Sequence, residues 1–287
     1  MLMKVLLKNG ESIFYEKREG GDLILLLIHG NMASSVQWDL LIEHMDSKYT
    51  VYAIDLRGYG QSSYQQPINS IRDFADDIKL FAEQLDIKKA DVIGWSNGGG
   101  VAMQFAATYP DYVNKLILLA SMSTRGYPAL DEKNNRVHSR EAINNTPSIR
   151  MLLDAQENEN TELFKGAMNH LLYSVNKPSE KRYEKYLRSA IQQRNIADAA
   201  HAANIFNISA QSNGLVEGTG EIKHINMPIL IIWGLNDQLT SQQMTLEIIK
   251  DLTLAGKPFK YVPINAGHAL LVDNLNAVLD EINNFLR

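Results

Sequence analysis

Short apolar runs recur along the 287-residue chain, and most are nearly continuous in isoleucine, leucine and valine rather than alternating with polar residues. Continuous runs of this length are typical of strands buried on both faces, as in a parallel sheet. We predict a first strand within Met1–Leu7, followed by strands at Leu23–Ile28, Thr50–Ile54, Ala90–Ile93, Lys115–Ala120, Ile229–Trp233 and Phe259–Ile264.

Helical patterns separate most of these runs. Between Ser70 and Leu85, apolar residues recur at the spacing that places them on one helical face, and either Asn69 or Ser70 is a suitable cap. A similar pattern closes the sequence, carried by Val278, Leu279, Ile282, Phe285 and Leu286. Alternating strands and helices predict an α/β fold, in which right-handed crossovers build a mostly parallel sheet flanked by helices.

One interval departs from this alternation. Residues 123–225 contain no clear buried strand but show helical patterns at 147–156, 161–175, 178–194 and 196–210, with Pro178 suited to a first helical turn. We therefore predict a core built from residues 1–122 and 226–287, with residues 123–225 inserted as a helical cap. Within the cap, we expect a set of large apolar residues to be core rather than substrate contacts: Met168, Leu171, Leu172 and Phe206.

Composition excludes several classes of function. The chain has a formal net charge of −5 and no dense lysine and arginine block, which argues against a nucleic-acid partner. It has no cysteine, so a disulfide, a thiolate metal site and a cysteine nucleophile are excluded. Five of the seven histidines lack metal-ligand spacing with acidic residues: His44, His138, His170, His201 and His224. We expect neither a metal nor a cofactor.

The beginning of the chain does not resemble a targeting segment. Its first residues are interrupted by Lys4 and followed by Asn9-Gly10, which fits a strand and a hairpin turn better than a signal peptide. No stretch approaches the length and hydrophobicity of a membrane span. We expect a cytoplasmic protein without a membrane span, and the sequence leaves the oligomeric state open.

Polar residues and glycines follow the predicted strands directly. In an open parallel sheet, the loops after the strands gather at one edge, outside the carboxyl ends of the strands. A serine, an aspartate and a histidine that are far apart in sequence are therefore expected to converge there. The segments are His29-Gly30-Asn31, Asp55-Leu56-Arg57-Gly58, Gly94-Trp95-Ser96-Asn97-Gly98, Gly234-Leu235-Asn236-Asp237 and Ala266-Gly267-His268.

The third of these segments has the pattern Gly-x-Ser-x-Gly between a strand and a helix. This pattern is the nucleophile elbow, a strained turn that holds a serine hydroxyl above the edge of the sheet. Side chains at Gly94 and Gly98 are expected to collide across the turn, and Gly99 and Gly100 to let the helix pack closely on neighbouring strands. The positive end of the helix would lie beneath Ser96.

Together these segments resemble the α/β-hydrolase family, and the resemblance to its serine esterases and lipases covers roughly residues 1–122 and 226–287. It also rests on Tyr59-Gly60-Gln61-Ser62, which extends the second segment, and on the order serine, aspartate, histidine. The resemblance implies that Ser96 is the nucleophile, His268 the general base and Asp237 the residue that orients and stabilises the imidazole. It also implies an oxyanion hole made by the backbone N–H groups of Asn31 and Asn97.

Structural roles compete with these assignments. Ser96 is alternatively a helix cap, His268 a surface loop residue, and Asp237 a turn residue, in which case Asp273 is a weaker substitute for the triad acid. For His29, the family implies support of the oxyanion loop rather than chemistry. Asp55 and Arg57 are best interpreted as scaffold residues of their loop.

A serine nucleophile favours acyl transfer to water, because haloalkane dehalogenases and epoxide hydrolases of this fold carry aspartate at the elbow. We predict hydrolysis of moderately hydrophobic carboxylic esters through an acyl-enzyme. Three alternatives use the same triad: a cofactor-free perhydrolase, an amidase or carbon–carbon bond hydrolase, and an intracellular depolymerase of short-chain polyhydroxyalkanoates. The depolymerase resemblance rests on Gly94-Trp95-Ser96, Gly98-Gly99-Gly100 and Asn213-Gly214. A non-enzymatic ligand receptor is the remaining alternative.

Overall fold

The computed structural model describes residues 1–158 and 160–287. Within them, eight strands form one sheet in the order β1-β2-β4-β3-β5-β6-β7-β8. The β1–β2 and β2–β4 pairs are antiparallel, and every other pair is parallel. The strands are β1 Leu2–Leu6, β2 Ser12–Arg18, β3 Leu23–Ile28, β4 Tyr49–Ile54, β5 Ala90–Trp95, β6 Val113–Leu119, β7 Ile229–Gly234 and β8 Phe259–Ile264.

The helices are distributed between and after these strands. They are α1 Asp39–His44, α2 Ile71–Gln84, α3 Asn97–Thr108, α4 Arg140–Asn144, α5 Pro147–Glu157, α6 Thr161–Leu171, α7 Glu180–Ile191, α8 Ile196–Ile205, α9 Gln242–Leu254, α10 Leu270–Asp273 and α11 Leu275–Leu286. Among the residues that the structure describes, no helix is both long and apolar enough to cross a membrane.

Burial explains why the central strands are continuous apolar runs. Every residue of β4, β5 and β7 is buried, since helices cover both faces of the sheet. One face packs against α2, α3 and α9, with Phe74, Phe105 and Ile248 among the buried side chains. The other packs against α1 and α11 and also against residues of α5, α6 and α7.

The expected parallel α/β architecture is confirmed, and β3 and β8 have the predicted limits. The helix after Ser70 is also confirmed, because Ser70 caps α2 in a capping box with Asp73. The prediction for Pro178 is wrong. Ser179 is the N-cap of α7, and the helix begins at Glu180, so Pro178 lies before the cap.

The long interval between β6 and β7 carries α4 to α8, and its described residues contribute no strand to the sheet. Side chains from this interval enter both hydrophobic clusters: Phe164 and Tyr186 pack on one face, and Ala202 and Phe206 join the other. We propose that residues 123–225 form a cap over the edge of the sheet where β3 and β5 end.

Candidate active site

Ser96 occupies the sharp turn between β5 and α3. Its φ of 58° and ψ of −122° lie in a conformation that residues other than glycine rarely adopt. Its N–H donates to the carbonyl of Leu119 at 3.0 Å, and its own carbonyl accepts from Gly99 and Met122 at 3.0 and 3.1 Å. Because these bonds join the turn to the end of β6, they hold the strained backbone in place.

The glycines around Ser96 are needed for close approach. A Cβ on Gly94 would lie 2.4 Å from the carbonyl oxygen of Gly98, the expected collision across the turn. A Cβ on Gly98 would instead lie 2.2 Å from the carbonyl oxygen of Ile28, at the end of β3. A Cβ on Gly30 would lie 2.8 Å from the Cβ of Ser96. The loop after β3 therefore packs directly on the turn that carries Ser96.

The neighbouring helical glycines allow the same kind of contact. A Cβ on Gly99 would lie 2.2 Å from the hydroxyl oxygen of Ser121, and one on Gly100 would lie 1.8 Å from the terminal methyl of Met122. Both partners follow β6. These contacts are consistent with the expectation that glycines bring α3 close to the neighbouring strand.

His268 and Asp237 form a buried pair at the ends of β8 and β7. The distance from His268 Nδ1 to Asp237 Oδ2 is 2.9 Å, and both side chains are fully buried. The other carboxylate oxygen of Asp237 accepts from the N–H groups of Leu239 and Thr240 at 2.8 and 2.9 Å. Burial raises the pKa of Asp237, but the hydrogen bonds with His268, Thr240 and Leu239 outweigh it and hold that pKa below its ordinary value.

The other nitrogen of His268 is available for chemistry. Its Nε2 atom is buried and has no hydrogen-bond partner in the part of the chain that the structure describes. His268 lines the same cavity as Ser96. The structure records no hydrogen bond between Ser96 Oγ and His268 Nε2. Such contacts are often long without substrate and shorten in the reacting complex.

Trp95 fixes the loop that carries His268. Its indole N–H donates to the carbonyl of His268 at 3.0 Å, and the centroids of the two rings are 5.4 Å apart. Trp95 directly precedes Ser96. One side chain therefore links the turn after β5 to the loop after β8.

Asp273, the alternative candidate for the triad acid, binds backbone N–H groups rather than the imidazole of His268. Its carboxylate accepts from the backbone N–H of Gly267 at 2.7 Å and from that of Asn176 at 2.9 Å. Burial raises the pKa of Asp273 against the effect of these two bonds. The carboxylate that meets the His268 imidazole is that of Asp237, whereas Asp273 ties the loop before His268 to the cap.

Asn31 and Asn97, the two residues expected to form the oxyanion hole, both line the cavity beside Ser96. Among the described residues, neither backbone N–H group has a hydrogen-bond acceptor. The next N–H group along the loop, that of Met32, is already bonded to Gln193 Oε1 at 2.9 Å. Asn97 also has a buried side-chain nitrogen with no described partner.

His29 is a fully buried structural residue. Its Nδ1 atom lies 2.7 Å from the carbonyl oxygen of Gly30, and its Nε2 accepts from the N–H of Leu56 at 3.0 Å. Burial lowers its pKa, so the ring is neutral at neutral pH. These bonds join the loop after β3 to the loop after β4.

The loop after β4 is held by buried charges. Asp55 accepts from the N–H groups of Ser35 and Gln61 at 2.7 and 2.9 Å, and the Arg57 guanidinium forms a two-point ion pair with Asp77 at 2.5 and 2.7 Å. Asp55 and Arg57 are therefore scaffold residues in this structure.

A cavity of about 310 Å³ opens above Ser96 and His268. Its lining contains no lysine, arginine, aspartate or glutamate among the described residues. Met32, Met122 and Leu239 contribute apolar side chains to the lining, and most of the other apolar residues come from the cap: Tyr127, Pro128, Ala129, Leu130, Ile149, Leu152, Leu171, Leu172, Ala199, Ala200 and Ala203.

The assignment of cap residues to the core was wrong for Leu171. Met168, Leu172 and Phe206 are buried in the hydrophobic clusters, and Leu172 also lines the cavity, whereas Leu171 lines the cavity without belonging to either cluster. Sequence reasoning also missed the alanines of α8. Their spacing at positions 199, 200 and 203 places three small side chains on one helical face, which is the signal that could have indicated a lining.

Comparison with known proteins identifies the family. The family model of the alpha/beta hydrolase fold matches residues 24–275, which is most of the chain, so the protein belongs to this family.

Individual relatives match to different extents. An uncharacterized protein of Mycobacterium tuberculosis is 37% identical over 102 residues, which are 36% of this chain and 30% of that protein. The chain thus matches only about a third of the length of such relatives. A pimeloyl-acyl-carrier-protein methyl ester esterase of Vibrio atlanticus is 25% identical over 273 residues, or 93% of this chain and 95% of the esterase.

The fold is also found in solved structures. The crystal structure of a hydrolase from Pseudomonas aeruginosa superposes with a TM-score of 0.76 at 19% identity, covering 99% of this chain and 98% of that one. At this identity, the likeness concerns the fold.

Proposed function

We propose that the protein is a serine hydrolase that cleaves uncharged, moderately hydrophobic carboxylic esters through an acyl-enzyme. One observation carries the proposal: Ser96 and His268 line one apolar cavity, with the Nδ1 atom of His268 bonded to Asp237 and its Nε2 atom without a hydrogen-bond partner among the described residues. This is the arrangement that a serine needs, because its hydroxyl is a weak nucleophile without an adjacent base. The full-length likeness to a methyl ester esterase supports an ester as the substrate.

In the proposed acylation step, Ser96 Oγ attacks the carbonyl carbon of the ester, and His268 Nε2 accepts the hydroxyl proton. The carbonyl oxygen becomes an oxyanion, stabilised by the backbone N–H groups of Asn31 and Asn97. Asp237 keeps the Nδ1 proton of His268 in place and stabilises the imidazolium. The carbon–oxygen bond to the leaving alcohol then breaks, and His268 returns the proton to the alcohol oxygen.

In the proposed deacylation step, the same groups act on water. His268 Nε2 accepts a proton from a water molecule as the water oxygen attacks the acyl carbon. The oxyanion that forms in this step accepts hydrogen bonds from the same two N–H groups. When the bond to Ser96 breaks, His268 returns the proton to Oγ, and the carboxylic acid leaves.

The cavity limits the chemical class of the substrate. Since no cationic side chain lines its described surface, a second carboxylate on the acyl group would be desolvated there without a counter-charge. The apolar lining favours an alkyl or aryl acyl group instead. We therefore expect neutral acyl esters to be better substrates than half-esters of dicarboxylic acids.

The test of the nucleophile is covalent labelling. A fluorophosphonate probe should add one probe mass to the wild-type protein, and Ser96→Ala should abolish this labelling. The same variant should hydrolyse nitrophenyl butyrate about 10⁴-fold or more slowly than the wild type. Labelling at an unchanged rate in Ser96→Ala would contradict the assignment of Ser96.

A substrate panel separates the proposed activity from the alternatives on the same triad. It should contain nitrophenyl esters from acetate to decanoate, 3-hydroxybutyrate oligomers, the matching anilides, and acetate with hydrogen peroxide. The proposal expects simple esters to have the highest kcat/KM. Preference for oligomers, anilides or peracid formation would replace it with depolymerase, amidase or perhydrolase activity, and saturable binding without turnover would indicate a receptor.

A further inference from the structure

Gln193 is a buried cap residue that contacts the oxyanion loop, which is the loop after β3 that contains Asn31 and Met32. It lies in the segment between α7 and α8 and is 1% exposed. Its Oε1 atom accepts from the N–H of Met32 at 2.9 Å, and its Nε2 atom donates to Asn31 Oδ1 at 2.7 Å. Both polar atoms of one amide therefore bind consecutive residues of the loop after β3.

The two bonds reach the side chain of the residue whose N–H is proposed to bind the oxyanion and the next N–H along the loop. The hydroxyl of Tyr59 donates to the same Oδ1 atom of Asn31 at 2.8 Å, so the Asn31 side chain has two anchors. The Met32 N–H is occupied, and the Asn31 N–H, in the same cavity lining as Ser96, has no acceptor within residues 1–158 and 160–287. Gln193 thus determines which N–H group of the loop remains available to the substrate.

The loop needs such support because its backbone is strained. Met32 has a φ of 53°, in the left-handed region that residues other than glycine seldom adopt. A strained conformation of this kind costs on the order of 1–3 kcal/mol and persists only where the surroundings hold it. The hydrogen bond from Met32 to Gln193 is a direct restraint on this residue.

Gln193 is itself held firmly by its neighbours. The Gln156 side chain of α5 donates to the Gln193 carbonyl, and Gln193 Nε2 also donates to Asn195 Oδ1 at 3.0 Å. Asn195 in turn donates to the carbonyl of Arg57 at 2.8 Å. The amide that contacts the oxyanion loop is therefore positioned by the cap and by the loop after β4.

We propose that Gln193 is a positioning residue of the cap that holds the Asn31 N–H in place for the oxyanion. This inference rests on the proposed function, since it assigns a role in that reaction. It makes the cap part of the catalytic apparatus as well as the wall of the cavity. Removing Gln193 should weaken transition-state stabilisation more than substrate binding, because an oxyanion forms only in the reaction.

The test compares two variants of Gln193 with a matched neighbour. Gln193→Ala removes the whole amide side chain. Gln193→Met removes the amide but keeps a side chain of similar length, so it can still be measured if Gln193→Ala does not fold. Arg194→Ala is the control, since Arg194 donates to the carbonyls of Gly60 and Ser62 and, among the described residues, makes no hydrogen bond to Asn31 or Met32. Active sites are first titrated with the fluorophosphonate probe, so that kcat refers to folded enzyme.

We expect both Gln193 variants to lower kcat for a nitrophenyl ester by about 10- to 100-fold with little change in KM. Inhibition by a trifluoromethyl ketone, which forms an oxyanion on Ser96, should weaken by a similar factor. Arg194→Ala should affect both quantities much less.

Other outcomes separate the two claims. An active wild type whose Gln193 variants keep kcat and inhibitor affinity overturns the inference alone. Equal losses in Arg194→Ala and the Gln193 variants also overturn it, because they would reflect cap attachment in general. A wild type that neither labels nor hydrolyses esters overturns the proposed function, and the inference with it.

Discussion

Asp237 and Asp273 both approach the loop that carries His268, but they contact it through different atoms. Asp237 accepts from the imidazole Nδ1–H of His268, whereas Asp273 accepts from the backbone N–H of Gly267. At the scale of single residues, the structure thus separates two carboxylates that are close in space. One is placed to control a tautomer and the other to hold a loop.

Asp237→Asn should test this separation. An asparagine of the same size can present its amide N–H to Nδ1, which would favour the wrong tautomer of His268. We expect the variant to fold and its kcat to fall by about 10³- to 10⁴-fold. Steady-state kinetics after active-site titration measures this.

Asp273→Asn is the matched control for that variant. Its side-chain oxygen can still accept one of the two backbone N–H groups, and it does not bond to the imidazole. Its kcat should fall much less than that of Asp237→Asn. The opposite order would transfer the role of triad acid to Asp273.

The lowered pKa of His29 leads us to predict that the free energy of unfolding depends on pH. Burial lowers its pKa in the folded state below the ordinary value of 6.5, so between the two pKa values the unfolded chain binds more protons. The contribution of His29 to the free energy of unfolding is therefore complete above about pH 6.5. It is lost as the pH falls, by at most about 1.4 kcal/mol per pH unit.

The His29→Asn variant should show a shallower decrease in the free energy of unfolding between about pH 7 and about pH 5. Urea titrations at several pH values measure this slope. His201, whose pKa is lowered by burial and by Arg140, contributes with the same sign in both proteins. Identical slopes for wild type and variant would contradict the buried neutral state of His29.

At the scale of elements, the turn from β5 into α3 shows what the glycines do. Gly98 lies where α3 begins, and the carbonyl oxygens of Ile28 and His29 leave no space for a Cβ. Gly166 is also helical, within α6, but an added Cβ there meets no heavy atom of the described residues within 4 Å. The same residue type is thus required at one helix and tolerated at another.

Alanine substitution at these two glycines should have opposite effects. Gly166→Ala should raise the free energy of unfolding by about 0.5–1 kcal/mol, because alanine has less backbone freedom to lose in a helix. Gly98→Ala should lower both stability and kcat, since the loop after β3 must move away from Ser96. Denaturant titration and ester kinetics measure both effects, and a neutral Gly98→Ala would show that the loops can separate without cost.

The elements also show the limits of local sequence patterns. The buried strands were predictable, because continuous apolar runs need no knowledge of their neighbours. Pro178 was misplaced because proline fits both the first turn of a helix and the loop before it, and the capping position of Ser179 decides between them.

At the scale of the whole molecule, the cavity forms where the edge of the sheet meets the cap. Ser96 and His268 come from the sheet, and Leu152, Leu171 and Ala200 come from three cap helices or their ends. No single segment contains this site. The depth available to an acyl group depends on how α5, α6 and α8 lie over the loops.

Ala200→Phe should shorten the cavity. Ala200 is half-buried on α8 and lines the cavity, so a larger side chain there should exclude long acyl chains. We expect kcat/KM for decanoate to fall at least about tenfold while that for acetate is nearly retained. Ala197→Phe is the control, because Ala197 lies on the same helix but does not line the cavity. A uniform loss over all chain lengths would contradict the proposed acyl site.

The sequence by itself determined the α/β architecture, the strained turn at Ser96, and the loops on which the histidine and aspartate lie. These features follow from local chemistry: apolar runs, glycine spacing and the position of polar residues after strands. Only the tertiary structure decided that Asp237 rather than Asp273 meets His268, that Leu171 and Leu172 line the cavity, and that Gln193 contacts the oxyanion loop. These contacts join residues that are distant along the chain, and their distances depend on how the cap packs on the sheet.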